Sequence, residues 1–237
     1  MPSDVLLITG TDTGVGKTTV GSGLAAALYS RGKRVGVLKP AETGCEPSPS
    51  GRLVAADARR LAFFARSAAE PETICPYRLR DPLAPSVAAA REDRRIDPAV
   101  IEAAASQLRA QNDLVLVEGA GGLMVPIVDR FTYVELCRQL RARLLVVVGN
   151  RLGAVNHALL TVLCAEHAGL RLAGYVINTV SPAPTLATET NVALLTDWLG
   201  PPLGIIPWLG DVRETDADRD RLARVFTEAI DLNKLFP

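Results

Sequence analysis

The segment Gly10-Thr-Asp-Thr-Gly-Val-Gly-Lys-Thr-Thr19 gathers glycines, hydroxyls and a lysine into one short stretch. Glycine lets backbone N–H groups converge on phosphate oxygens, and a helix opening at the far end adds its positive pole. In such a loop Lys17 reaches the β- and γ-phosphates, and the hydroxyl of Thr18 ligates Mg²⁺. The expected chemistry is use of ATP with Mg²⁺. The spacing departs from G-x-x-x-x-G-K-[ST]. Five residues, not four, separate Gly10 from Gly16, and Thr11 stands where the first glycine normally does. The competing reading is a glycine-rich turn with a chance Gly-Lys-Thr; an apolar strand before it and a helix after it favour phosphate.

Such a loop needs a metal-holding carboxylate at the end of a nearby strand. Glu118 closes the apolar run from Leu114 and is followed by Gly119-Ala-Gly-Gly122, small residues that let backbone approach a ligand. Most proteins with this loop use aspartate there, so the glutamate is a departure. Lys39 follows the run Val35-Gly-Val-Leu38. It would sit over the strand ends near a transferred phosphate, although a lone lysine there is more often a surface residue. Asp57, read from position alone, is a solvated helix residue. His157 and His167 lie ten apart with no carboxylate or cysteine spacing, a poor metal pair. Nothing near Cys45 marks an activated thiolate.

These groups need a scaffold. Apolar β-branched runs at 5–9, 34–38, 113–118, 143–148, 171–177 and 203–206 read as strands. Helical patterns fall at 17–30, closed by Gly32, and at 154–168, 186–199 and 216–232. Asp97-Pro98 reads as a helix start, and Thr132-x-x-Glu135 as a capping box. Strands without alternation are buried on both faces, which gives an α/β fold: a mostly parallel sheet with helices on both faces, as one domain over 1–237. Ligands then collect at the carboxyl ends of the strands. The last helix sets Leu222, Val225, Phe226, Ala229 and Ile230 on one face, and packing on its own domain is expected over a membrane or partner. Segment 46–51 reads as a surface loop.

With 48% hydrophobic and 22% charged residues, the chain has the balance of a folded soluble protein. Basic and acidic residues number 26 each, so no net field draws in nucleic acid or an anionic membrane. Four cysteines without a Cys-x-x-Cys pair suggest reduced thiols. Asp4 before a short apolar run does not suit a signal peptide, and no window is long enough to span a bilayer. A soluble, cytoplasmic protein is expected.

Taken in order, Gly10-Thr-Asp-Thr13 with Val15-Gly-Lys-Thr18, Lys39-Pro40 with Thr43-Gly44, Val117-Glu-Gly-Ala-Gly-Gly122, Leu152-Gly-Ala-Val-Asn-His157, Ala173-Gly-Tyr-Val-Ile-Asn178 and Ile206-Pro-Trp-Leu209 resemble the dethiobiotin synthetase family. The resemblance implies a P-loop NTPase-type domain carrying out a ligase-like reaction on 7,8-diaminononanoate, CO₂ (bicarbonate) and ATP. A carbamate would attack the γ-phosphate, and the second amine would close the cyclic urea. It further implies that Gly14, Val15, Gly16, Lys17, Thr18 and Thr19 bind the triphosphate, and that Thr18, Asp57 and Glu118 hold Mg²⁺. Lys39 becomes the catalytic lysine, supported by Lys17. Thr13 and Thr43 contact the carbamate side, and Glu118, Gly119, Ala120 and Gly121 line the nucleotide site. Asn178, Thr179, Pro207, Trp208 and Leu209, with Glu214, match the adenine pocket. Gly153, Ala154 and Asn156 match a turn offered to the substrate carboxylate of a partner subunit, which implies a homodimer. Gly14 departs from members with an acidic residue there, and Thr43 from those with serine.

Two rivals share the loop. An amidoligase of the cobyrinic acid diamide synthase type would normally bring a glutaminase domain with a nucleophilic cysteine, for which no room remains. A partition or septum-positioning switch ATPase carries an extra lysine five residues before the Gly-Lys-Thr lysine, a position held here by Asp12.

Overall fold

The computed structural model describes residues 4–236. Its central sheet has six strands: β1 (Asp4–Gly10), β2 (Val35–Leu38), β3 (Leu114–Gly122), β4 (Arg143–Asn150), β5 (Arg171–Thr179) and β6 (Gly204–Ile206). They lie in the order β6-β5-β4-β1-β3-β2, all parallel. The main helices are α1 (Lys17–Ser30), α2 (Ala56–Ala65), α3 (Pro98–Gln111), α4 (Tyr133–Gln139), α5 (Ala154–His167), α6 (Leu186–Leu199) and α7 (Asp216–Ala229).

The uninterrupted apolar strands follow from burial on both faces. Along β1, Val5 and Leu7 join the core formed with Ile101, Leu108 and Tyr133, while Leu6 and Ile8 join Leu24, Phe64 and Phe226. Helices α3, α4 and α5 therefore cover one face and α1, α2 and α7 the other. The doubly wound parallel α/β fold is the expected one. Among the described residues no helix is long and apolar enough to cross a membrane.

The local start signals work as written. Asp97 accepts a bond from Ala99 N at 2.9 Å, and Thr132 and Glu135 form both halves of a capping box. The stripe on α7 packs inward, with Leu222 and Phe226 fully buried. A Cβ on Gly23 of α1 would lie 2.1 Å from the Phe226 ring. Gly23→Ala would gain about 1 kcal/mol of helix propensity. Overpacking a buried ring costs about 1–3 kcal/mol, and nothing there has room to give. The variant is expected to melt several degrees lower; an unchanged Tm in a thermal melt would contradict this packing.

Four details differ from the sequence reading. Strand β3 runs past Glu118 to Gly122 because Gly10 pairs with Gly122 after a register shift. Segment 46–51 lies at the surface as expected, but its first two residues add a hairpin, Glu46–Pro47 pairing antiparallel with Leu53–Val54. The last helix stops at Ala229, since Ile230 leaves to bridge Gly204 on β6. Short helices at Pro71–Ile74 and Pro85–Arg91, each opened by a proline, were too brief to register as a period.

Candidate functional site

Strand β1 delivers Gly10 to the top of the sheet, where Thr11 N donates to Val147 O at 3.0 Å. The loop then turns on two left-handed glycines, Gly14 (φ 73) and Gly16 (φ 92). Gly16 is the residue before α1, and no side chain caps that helix end. Its first-turn N–H groups are thus available to an anion, and the dipole points the same way. Lys17 is 7% exposed and donates to Asp12 O at 3.0 Å. Burial holds its ammonium pKa down at about 8, with Glu118 pulling against that shift.

Lys39, just past β2, is 3% exposed, and its Nζ lies 2.5 Å from Glu118 Oε1 and 3.0 Å from Asp57 Oδ2. Burial opposes the charge on Lys39, but the two carboxylates outweigh it and raise its pKa. Asp57 shows the counterpart: burial would raise its pKa, and Lys39 pulls it below the usual value. Thr18 Oγ1 donates to the same Glu118 oxygen at 2.9 Å. Position alone therefore misled on two residues. Lys39 is a buried ion-pair centre, and Asp57 faces it from the first turn of α2.

A cleft of about 610 Å³ opens over this cluster. Its walls include Thr13, Gly14, Gly16, Lys17, Thr18, Thr19, Lys39, Thr43, Asp57, Glu118, Ala120 and Gly121. The remaining expected residues are not among its walls. Val15 is buried at the loop's heart, and its carbonyl accepts a bond from Asn178 Nδ2 at 2.9 Å. Gly119 is buried against Tyr133 on β3. Thr179 ends β5, and Pro207, Trp208 and Leu209 follow β6, with Trp208 half exposed. Glu214 is paired with Arg59 at 3.2 Å. Gly153, Ala154 and Asn156 open α5, outside the cleft walls, with Asn156 exposed.

The donor set fits a divalent cation. Glu118 Oε2 is buried with no hydrogen-bond partner, and the Lys39 ammonium is a stand-in positive charge between both carboxylates. No group of three or more His, Cys, Asp or Glu suited to a metal exists among the described residues. A cation here would thus take its other ligands from Thr18, phosphate and water, as Mg²⁺ does.

Sequence reasoning missed two parts of the cleft and one tie to the phosphate loop. Glu42, 6% exposed, lines it and bonds to α2. The segment Pro82-Leu-Ala-Pro85 with Val125 forms a wall. Arg151 pairs with Asp12 at 2.6 Å, tying the phosphate loop to the turn after β4. Only pairs of prolines and a carboxylate three residues from Lys39 hinted at the first two. The cysteines are all free, and burial raises the Cys45 thiol to about 11, away from thiolate reactivity.

Parallel sheet, glycine loop and helix-end lysine together define a P-loop NTPase-type α/β protein. Residues 4–216 match the family model described as an AAA domain. The chain is 39% identical over 210 residues to ATP-dependent dethiobiotin synthetase BioD 1 of Escherichia coli strain K12, covering 89% of this chain and 93% of that one. It is 42% identical over 202 residues to the BioD enzyme of Aromatoleum aromaticum, covering 84% and 88%. Among solved structures it resembles the MinC:MinD cell division complex of Aquifex aeolicus (TM-score 0.55, 16% identity, 93% of this chain and 86% of that one). A cell division protein FtsY of Thermotoga maritima is also similar (TM-score 0.51, 19% identity, 94% and 68%). Both likenesses are of fold alone. The chain belongs to the ATP-dependent dethiobiotin synthetase family.

Proposed function

We propose that this chain, acting as one catalytic domain, is a C–N bond-forming ligase that converts 7,8-diaminononanoate, CO₂ and ATP to dethiobiotin, ADP and phosphate. The observation that carries the reading is the convergence of Lys17, Thr18, Lys39, Asp57 and Glu118 on one cleft, in a chain of this family. One amine captures CO₂ as a carbamate. A carbamate oxygen attacks the γ-phosphorus, ADP leaves, and a carbamic–phosphoric anhydride remains. The second amine then attacks the carbonyl carbon and expels phosphate.

Such a reaction asks for positioning and charge neutralisation. The turn Gly14–Thr19 holds the triphosphate through backbone N–H groups, and Lys17 neutralises its β/γ end. Lys39 stabilises charge where carbamate and γ-phosphate meet, with Thr13 and Thr43 on the carbamate side. Thr18, Asp57 and Glu118 would hold Mg²⁺, which supplies further charge neutralisation at the phosphates. Asn178, Thr179, Pro207, Trp208, Leu209 and Glu214 border the adenine, and Gly119, Ala120 and Gly121 approach the nucleotide as backbone. Gly153, Ala154 and Asn156 receive the substrate carboxylate from the other subunit of a cytoplasmic homodimer. Supporting the dimer, Asn156, Leu160 and Leu163 share one face of α5, and Leu152, Leu160 and Leu163 are exposed apolar residues.

Phosphate release from ATP, with diaminononanoate and bicarbonate omitted in turn, tests the reading. Release should require both. Turnover indifferent to the diamine would sink the synthetase reading and favour a switch ATPase.

The depressed Lys17 pKa of about 8 adds a pH signature. Phosphates favour the charged amine, so above pH 8 binding must take up a proton. Affinity for ATP should fall there by up to about tenfold per pH unit. Between about 8 and 10.5 the unfolded chain keeps a proton that the folded chain lacks, so Lys17's contribution to stability rises with pH. Calorimetry at pH 8.5 in buffers of different ionisation enthalpy should show proton uptake; none would contradict this assignment.

A further inference from the structure

Helix α2 carries Asp57 in its first turn yet begins without a cap of its own. The residue before it, Ala55, has no side chain able to accept a bond. Two first-turn donors are satisfied from elsewhere: Asp57 N donates to Glu42 Oε1 and Ala58 N to Glu42 Oε2, each at 2.9 Å. Glu42 sits three residues beyond Lys39, on the two-residue strand Ala41–Glu42 that pairs with Tyr77–Arg78. It is 6% exposed and lines the cleft. One carboxylate thus ties the segment bearing Lys39 to the helix bearing Asp57.

A serine or aspartate at position 55 would satisfy the same N–H groups locally. Here a buried carboxylate is brought in beside a second carboxylate. Burial raises the pKa of Glu42 and Asp57 adds to the rise, while the two N–H bonds and Lys39 act against it. The charge is tolerable because the bonds are bidentate and the helix dipole is favourable. What this arrangement supplies beyond a local cap is registration: the backbone of Asp57 is fixed to the strand that follows Lys39.

We propose that Glu42 is a positioning residue that holds the first turn of α2, so that the Asp57 carboxylate is set for the divalent cation that accompanies the nucleotide. The inference rests on the reading of Asp57 as a cation ligand. Partners that orient ligands in this way typically matter by 10–100-fold in metal affinity.

The test is Mn²⁺ binding by electron paramagnetic resonance, with ADP bound, on the full chain. Glu42→Ala should weaken Mn²⁺ binding about tenfold, while ADP binding in EDTA stays within about twofold of the parent. Ala55→Ser added to Glu42→Ala supplies a local cap without the tie to the Lys39 segment, so it should recover Tm while most of the Mn²⁺ loss remains; full recovery of Mn²⁺ affinity would reduce Glu42 to a helix cap and overturn the proposal. Should Glu42→Ala fail to fold, Glu42→Gln, which keeps one acceptor oxygen, should show a smaller loss in the same direction. A merely structural Glu42 would lower Tm and leave the Mn²⁺ affinity unmoved, and that result overturns the proposal. Asp57→Asn separates the two levels. If it leaves Mn²⁺ binding unchanged, the cation reading of Asp57 fails. If it weakens binding while the Glu42 variants do not, only the positioning role falls.

Discussion

Lys39→Ala is expected to lower turnover by about 10²–10³-fold, the usual cost of removing one group that stabilises transition-state charge. Affinity for ATP should stay within a few-fold, because the proposed function leaves the triphosphate to the loop and Lys17. The reason lies in where the ammonium sits. It is buried between Glu118 and Asp57 in the cleft wall, on the segment after β2 and not in the glycine loop itself. Deleting it also leaves Glu118, 1% exposed, without its cation. Removing one partner of a buried pair costs about 3–5 kcal/mol, less here because Asp57 is partly open to water. The free variant should therefore melt well below the parent and gain more stability from added Mg²⁺. Single-turnover kinetics beside calorimetric ATP binding provide the check. Equal loss of both would mean that Lys39 only anchors phosphate or structure.

Gly16→Ala should abolish useful nucleotide binding, while Gly14→Ala should be mild. Both glycines are left-handed, which costs alanine about 1–2 kcal/mol. They differ in surroundings. A Cβ at Gly14 meets nothing within 4 Å, whereas at Gly16 it would lie 2.1 Å from Asn178 Nδ2. That nitrogen holds Val15 O, so relieving the clash means releasing the loop. A combined penalty near 3 kcal/mol corresponds to roughly 100-fold in affinity. Titration with a fluorescent ATP analogue should rank the variants in that order; equal affinities would mean the loop is not the phosphate cradle.

The sequence was most informative where chemistry and local structure coincide. The phosphate loop, the strands and most helices were legible because apolar periodicity and capping residues act within a few positions. Lys39 and Asp57 were illegible one at a time, since each looks like a solvated residue when only its neighbours in the chain are considered. Their meaning came from the resemblance of the whole motif series. Glu42 carried only the faint signal of a carboxylate three residues from Lys39, because a cap supplied from fifteen residues away follows no local rule.

The doubly wound parallel fold, the place of the phosphate loop and the family were thus readable from the residues in order. That Lys39 lies between Glu118 and Asp57, that Asn178 clasps Val15, and that Glu42 caps α2 emerged from the folded structure alone. The division has a physical cause. Periodicity and loop chemistry are local and repeat along the chain. Ion pairs and hydrogen bonds act over a few ångströms between residues far apart in the chain, 163 positions for Asn178 and Val15, and only the folded sheet brings those residues together.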